Sequence, residues 1–416
     1  MLDLKEIRRD PEGARAALAR RGDAGSLDEA LSLDDRRRQL LPELERLRAE
    51  KNLASKRIGE LQRSGEDASR AIAEVRGASA REKELDEELR EVERRRDAAL
   101  AALPNLPDRS AADQDEVIRE WGEAGSTGRD HLELLGDLVD LEAGARVSGS
   151  RFAYLKGPLV LLELALVRWA MELLGQQGFV PVIPPVLVRE EALYGTGFLP
   201  DTEQQIYHLP EDDLYLAGTS EVALASMHAH EILEGGELPR RYAGFSSCFR
   251  REAGAAGRDT RGVFRVHQFD KVEMFSFVAP DESPAEHERI LAIEEQILRA
   301  LEIPYRIVDI AVAELGASAA RKFDCEAWLP SQGRYRELTS CSNTTDFQAR
   351  RLEIRMRPEH ARRPEVLHTL NGTACAVGRT IIALLENGQR PDGGVTLPAV
   401  LVPYGAPPEL PPAPAS

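Results

Sequence analysis

FRREAGAAGRDTRGVFRVHQFDKVEMF, residues 249–275, decides how the rest of the chain is read. It opens on an Arg-Arg-Glu cluster, passes through a charged loop spaced by Gly254, Gly257 and Gly262, and closes on an apolar, aromatic and acidic run. From Phe264 to Phe275 apolar and polar residues alternate with the period of a strand, and Tyr242 to Phe249 repeats the pattern weakly. Two strands joined by a long Arg/Gly loop suit a phosphate-bearing ligand. Guanidinium forks match phosphate oxygens, and glycines let the backbone come close. A solvated surface loop can have the same composition, but Arg250, Arg251, Arg258 and Arg261 beside two aromatics favour the ligand.

The chain has 416 residues, 42% apolar and 30% charged, as for a soluble globular protein of two or three domains. No run reaches the roughly 20 apolar residues of a membrane span. The longest, Leu159 to Leu174, is interrupted by Glu163, Arg168 and Glu172. The first residues, MLDLKEIRRDPEG, lack an apolar signal core. Cys248, Cys325, Cys341 and Cys375 form no CxxC pair and suit reduced thiols, so the expected location is cytoplasmic. The net charge is −17, unevenly spread: residues 1–103 hold 23 Lys/Arg against 24 Asp/Glu, and the acidic surplus lies beyond them. Indiscriminate nucleic-acid binding is therefore disfavoured, and any such partner has to be held by the near-neutral N-terminal part or by local arginine clusters.

Leu33, Arg37, Leu40, Leu44, Leu47, Lys51, Ala54, Ile58 and Leu61 alternate by four and three, the seam of a coiled coil. Ser64 to Asp67 breaks it, and a second register runs from Ala71 through Leu85, Leu89 and Val92 to Ala99. Two such seams predict an antiparallel helical hairpin, an arm about 50 Å long. Lys51 and Glu82 interrupt the seams and are expected to pair, fixing register. Such hairpins serve as dimerisation or spacer elements, but off-seam bases such as Arg38, Arg46, Lys56, Arg57 and Arg76 leave ligand binding equally open.

The expected domains are an arm over 1–104, a linker over 105–128, an α+β domain with an antiparallel sheet over 129–404, and a disordered Pro-rich tail over 405–416. Within the α+β domain, helices are predicted over 157–177, 220–234, 283–301 and 378–387, and GFVPVIPPVLV (178–188) reads as a proline-broken edge strand.

P-loop, Rossmann, GxSxG and HExxH signatures are absent. Three other segments concentrate chemistry. In LAGTSEVAL (216–224), Thr219 or Ser220 can cap a helix with Glu221 in its first turn, or hydroxyl and carboxylate can face a cation. In YRELTSCSN (335–343), Glu337 and Ser340 offer oxygen ligands suited to Mg²⁺, or form an ordinary polar strand face. In LNGTACAVGRTIIALLEN (370–387), Arg379 falls in the first turn of a helix, where the dipole opposes it. It answers either an anion or a salt-bridge partner.

In this order, with the hairpin in front, these motifs resemble the seryl-tRNA synthetase family of class II aminoacyl-tRNA synthetases, bacterial type, over essentially the whole chain. The resemblance implies an antiparallel-sheet class II catalytic domain preceded by a tRNA-binding coiled-coil arm. It implies a cytoplasmic homodimer that uses ATP and Mg²⁺ to activate L-serine and transfers it to tRNA(Ser), and to tRNA(Sec), with the arm reaching tRNA across the dimer. By the same resemblance, Pro185 marks the dimer interface. Arg250, Glu252 and Arg379 are catalytic: Arg250 and Glu252 hold the α-phosphate and the adenine amino group, and Arg379 the γ-phosphate. Phe269 stacks on adenine, and Arg251, Val266, Glu337, Leu338, Thr339 and Ser340 complete the ATP contacts, Glu337 and Ser340 taking Mg²⁺. Thr219, Ser220, Glu221 and Asn371 surround serine, while Glu273 and Thr373 read its hydroxyl. The loop 253–261 switches between ATP and the tRNA end.

Position 373 is Thr where many members carry Ser, which keeps the hydroxyl. Cys248, Glu273 and Cys375 also resemble the zinc set of atypical relatives, although the other motifs match the zinc-free branch. A paralogue that supplies seryl-tRNA to a biosynthetic pathway shares every motif. A non-enzymatic interaction protein on the same scaffold is disfavoured by the intact Arg250, Glu252, Glu273, Glu337 and Arg379.

Overall fold

The computed structural model describes residues 1–22, 26–200, 205–252, 262–359 and 361–413. The chain divides into two compact units, residues 2–104 and residues 105–416 with Met1.

In the first unit, short helices Leu4–Arg9 and Pro11–Arg20 precede the long α1 (Ser26–Ser64) and α2 (Ser69–Ala102). Helix α1 closes on Gly65, which takes φ +75°, and the Gly65 and Glu66 amides bond the Gln62 and Leu61 carbonyls. Asp67 accepts from the Ser69 amide at 2.9 Å and its hydroxyl at 2.6 Å, leading into α2. Leu33, Leu40 and Leu44 then pack against Leu85, Leu89 and Val92, as the two periodicities require. Lys51 pairs with Glu82, and Arg48 donates to Glu82 at 3.1 Å and to Asp86 at 3.0 Å. Nearer the turn, Lys56, Arg57 and Arg76 are exposed, and no ion pair among the described residues engages them.

The second unit is built on an eight-stranded sheet. Its strands are β1 (Glu116–Trp121), β2 (Val180–Val182), β3 (Arg240–Phe249), β4 (Gln268–Val278), β5 (Tyr305–Asp309), β6 (Arg321–Leu329), β7 (Arg334–Thr345) and β8 (His368–Ala376). The spatial order is β1-β5-β6-β7-β8-β4-β3-β2. All neighbours are antiparallel except β2, which lies parallel to β3 at the edge. An edge is where Pro181 can sit without removing a ladder bond. The main helices are α3 (Pro158–Gln176), α4 (Glu221–Ser226), α5 (Ser283–Ala300) and α6 (Val377–Asn387). Helices α3 and α6 pack on each other and on β4, and α5 crosses β7 and β8. One core joins them, from Leu162 and Trp169 through Ile290 and Phe323 to Ile382.

Four expectations are corrected. Residues 105–128, read as a linker, contribute β1, which pairs with β5. Asn105 is buried and its amide donates to the Ser318 and Thr344 carbonyls at 2.9 Å each. A polar, charged strand at a sheet edge carries no alternating signal, so composition hid it. The predicted helix 220–234 stops at Ser226. His230 takes φ +64° and bonds the Leu352 carbonyl at 2.8 Å, and Ile232–Glu234 pair parallel with Arg355–Arg357. Tertiary partners outweigh helix propensity there. Strand β4 begins at Gln268 rather than Phe264, because Arg250 and His267 close the β3–β4 ladder and residues 263–266 turn into a cavity. In the tail, Glu409–Leu410 pair with Val395–Thr396 and Leu410 is buried; residues 414–416 lie outside the described residues. Among the described residues no helix is long and apolar enough to cross a membrane.

Candidate active site

A cavity of about 430 Å³ opens over β4, β7 and β8. Of the residues assigned to serine and ATP, Thr219, Glu221, Arg250, Glu252, Val266, Phe269, Glu273, Glu337, Leu338, Thr339, Ser340, Asn371, Thr373 and Arg379 all line it. Two do not. Ser220 is buried with its hydroxyl donating to the Gly244 carbonyl at 3.4 Å, and Arg251 is exposed with its amide bonded to the Gln205 carbonyl at 2.9 Å. The loop 253–261 lies outside the described residues.

One end of the cavity holds buried carboxyls. Glu273, on β4, is 2% exposed and ion-paired with Lys271 two residues earlier on the same strand face. A bulge in the β4–β8 ladder at Ala374 sets Thr373 directly opposite Glu273, and the Thr373 hydroxyl donates to the Glu273 carboxylate at 3.4 Å. Burial raises the Glu273 pKa, and Lys271 and the hydroxyl oppose the rise. Glu221, at the start of α4, accepts from the Gln348 amide at 2.8 Å and the Asn371 amide at 2.9 Å. Burial first, then repulsion from Glu273, pushes it up to about 7. The Thr219 hydroxyl accepts the Glu221 amide at 3.2 Å, so Thr219 rather than Ser220 makes the cap-like bond.

The other end is cationic. The Arg250 guanidinium lies 5.2 Å from the Phe269 ring centre and donates to the Gly218 carbonyl at 3.2 Å. Its backbone is locked to His267 by a ladder bond of 2.9 Å and by the imidazole on its carbonyl at 2.8 Å. Glu252 adopts φ +50° and pairs with Arg265 at 3.1 Å. Arg379 sits in the first turn of α6, as predicted, 4.8 Å from the centre of the Phe264 ring, and donates to the Glu337 carbonyl at 3.0 Å. Burial lowers its pKa, and Arg250, Arg265 and Arg336 add to that against Glu337. So many cations converging on one cavity call for an anion.

A second bulge decides the far wall. In the β6–β7 ladder Thr339 faces Cys325 and Glu337 faces Glu326, leaving Leu338 as the extra residue. The bulge breaks strict alternation, and Glu337 and Ser340, three apart, both line the cavity, while the Thr339 hydroxyl donates to buried Glu294 at 2.7 Å. Burial raises the Glu337 carboxyl, but Lys322, Arg379, Arg250 and Arg265 outweigh it and hold it below its ordinary value. An ionised carboxylate beside a hydroxyl is a donor pair that fits Mg²⁺ when phosphate oxygens complete the shell.

Cys248 and Cys375 are buried, and burial raises both thiols. Cys375 donates to the Thr380 hydroxyl at 3.6 Å, and among the described residues no three His, Cys, Asp or Glu side chains converge as a metal site.

Sequence reasoning missed Lys271, Arg265, Lys322 and Gln348. Lys271 was legible: Phe269, Lys271 and Glu273 are alternate residues of one strand and share a face. Gln348 reaches Glu221 across 127 positions, and no local signal marks it.

Residues 1–107 match the seryl-tRNA synthetase N-terminal domain family, and residues 206–388 match the tRNA synthetase class II core domain (G, H, P, S and T). The chain is 52% identical to a serine–tRNA ligase of Acidothermus cellulolyticus, covering 97% of this chain and 98% of that one. It is 49% identical to a serine–tRNA ligase of Streptomyces coelicolor, with 97% of each chain covered. Among solved structures, the seryl-tRNA synthetase from Pyrococcus horikoshii complexed with ATP superposes with a TM-score of 0.94 at 42% identity over 100% of both chains.

Proposed function

The chain belongs to the seryl-tRNA synthetase family and its activity is that of a serine–tRNA ligase, and we propose that the cavity over β4, β7 and β8 carries both steps of that reaction. One observation supports this most. A buried carboxyl–hydroxyl pair, Glu273 and Thr373, stands at one end and an arginine cluster at the other. A small hydroxylated amino acid joined to a polyphosphate has that polarity.

On this reading Glu221 and Thr219, with Asn371, receive the serine ammonium, and Glu273 and Thr373 its hydroxyl. Phe269 stacks on adenine, Glu252 meets the adenine amino group with Val266 beside it, Arg250 neutralises the α-phosphate, and Arg379 clamps the γ-phosphate. Glu337 and Ser340 would hold Mg²⁺ with the nucleotide, and the ion would supply charge neutralisation at the phosphates. A serine carboxylate oxygen bonds to the α-phosphorus and the bond to pyrophosphate breaks. No proton moves, so the site works by positioning and charge rather than acid–base chemistry. The oxygen of a terminal tRNA adenosine hydroxyl then bonds to the seryl carbonyl carbon, the bond from that carbon to the phosphate oxygen breaks, and AMP leaves, its phosphate taking up the hydroxyl proton.

The arm holds tRNA(Ser), and by the same shape tRNA(Sec), with Lys56, Arg57 and Arg76 free to meet phosphates. A second copy of the chain covers the apolar face of Leu161, Leu164, Val180 and Ile183, the last 82% exposed, beside Pro185. In such a homodimer the arm serves a tRNA charged by the partner.

Serine-dependent ATP–pyrophosphate exchange tests this reading, followed by charging of tRNA. Exchange should saturate with serine and not with alanine; exchange that ignores serine would overturn it. Arg379→Ala should lower the exchange rate by about 10²–10³-fold, the scale of losing one preorganised charge partner. The pH dependence has a definite sign. Glu221 titrates near 7, and an ammonium ligand needs it ionised. Below that pH the ligand displaces a proton, at about tenfold per unit. The serine KM should therefore be about 30-fold higher at pH 5.5 than at pH 8, and a flat profile would show that Glu221 does not meet the ammonium.

A further inference from the structure

Resting on that reading of the cavity, we infer that Lys271 is a further catalytic residue: its ammonium contacts the junction at which the serine carboxylate meets the α-phosphate.

The placement follows from β4. Alternate strand residues share a face and stand about 7 Å apart. Phe269, Lys271 and Glu273 are such a row, and all three line the cavity. A ligand with its base on Phe269 and its hydroxyl at Glu273 passes its phosphate–carboxylate junction over the middle member. The row holds no other cation, and Arg250 sits at its Phe269 end. The ladder partners of Lys271 are Ser246 on β3 and Ala376 on β8, both small, so the four-carbon stem has room to swing.

The present partner of Lys271 shows what frees it. Its Nζ pairs with Glu273, and the residue is only 7% exposed. Glu273 and Glu221 repel each other in a buried corner, and Lys271 relieves both. An arriving substrate ammonium brings the same charge to that corner, where it meets Glu221, and the substrate hydroxyl gives Glu273 a new donor. Lys271 then becomes surplus there and can turn to the carboxylate one step along the strand. As the carboxylate oxygen bonds to the α-phosphorus and pyrophosphate departs with the electron pair of the broken bond, Lys271 stays an ammonium throughout. It lowers the repulsion between two anions that must approach.

The rival role is a counter-ion for Glu273 and nothing more. A double-mutant comparison in the full-length enzyme separates the two. Glu273→Gln is the background, and Lys271→Gln added to it leaves two neutral amides side by side, so neither carries an unpaired buried charge. In that background Lys271→Gln is expected to lower the exchange kcat by about 10²-fold or more, the scale of losing a charge aimed at the transition state. The serine KM should move far less, and Lys271→Arg should restore at least part of the rate. A loss below threefold in the Glu273→Gln background, or no recovery with arginine, overturns the inference while the site assignment stands. If wild-type enzyme shows no serine-dependent exchange, the site assignment falls, and this inference with it. Thermal melting of each variant shows that the loss is chemical rather than a failure to fold.

Discussion

Replacing Thr373 by valine together with Glu273 by glutamine should collapse the preference for serine over alanine in ATP–pyrophosphate exchange. The wild-type ratio is expected near 10⁴–10⁵, the range of sites built to hydrogen-bond a substrate hydroxyl. The reason lies in what alanine leaves behind. Glu273 and Thr373 are both buried and face each other across the β4–β8 ladder. Without a substrate hydroxyl they lose a partner they cannot replace from water. Valine removes one polar group at constant shape, and glutamine removes the charge of the other. The variant should bind serine poorly and alanine no worse than before, so the ratio should fall to within about two decades of unity, the discrimination that shape alone gives. A ratio that stays within tenfold of wild type would place serine recognition elsewhere.

Deleting residues 2–104 should abolish tRNA charging and spare amino-acid activation. The deleted residues form a compact unit, and the described residues that line the cavity all lie from 196 onward. Serine-dependent exchange should therefore stay within a few-fold of wild type. Charging should fall by about 10³-fold or more, the margin by which specific nucleic-acid complexes exceed non-specific ones. Charging by the intact enzyme should also weaken steeply with salt, because arm contacts to phosphates release counterions. If charging survives the deletion, the arm is a spacer; if exchange vanishes, the two units do not divide the work as proposed.

The parts of the fold that were legible beforehand share a cause: their signals are local. The hairpin is written in two runs of four-and-three spacing, and its turn in Gly65 and Asp67. Lys51 and Glu82 were readable because a polar residue in an apolar seam needs a partner in the facing layer. Arg379 was readable because its helix dipole works against it. The arm of β4 from Gln268 to Phe275 showed alternation, but its start slipped, since Val263 to Val266 keep the same alternation while lining the cavity.

The sequence by itself determined two antiparallel helices, a largely antiparallel sheet, and the residue types of an anion site beside a small polar pocket, because periodicity, turn chemistry and misplaced charge act over a few residues. Only the tertiary structure decided which of those residues meet. Ladder bulges at Leu338 and Ala374 bring Glu337 to the same cavity as Ser340 and set Thr373 against Glu273. Packing set Glu221 beside Glu273 and raised it to about 7, and desolvation of that kind depends on neighbours 52 positions away rather than on the residue itself. It also buried Lys271, whose place between Phe269 and Glu273 the strand period already gave, against the Glu273 carboxylate. In the strand pattern that lysine was one polar residue among several; in the folded sheet it is a buried cation that lines the cavity and pairs with Glu273.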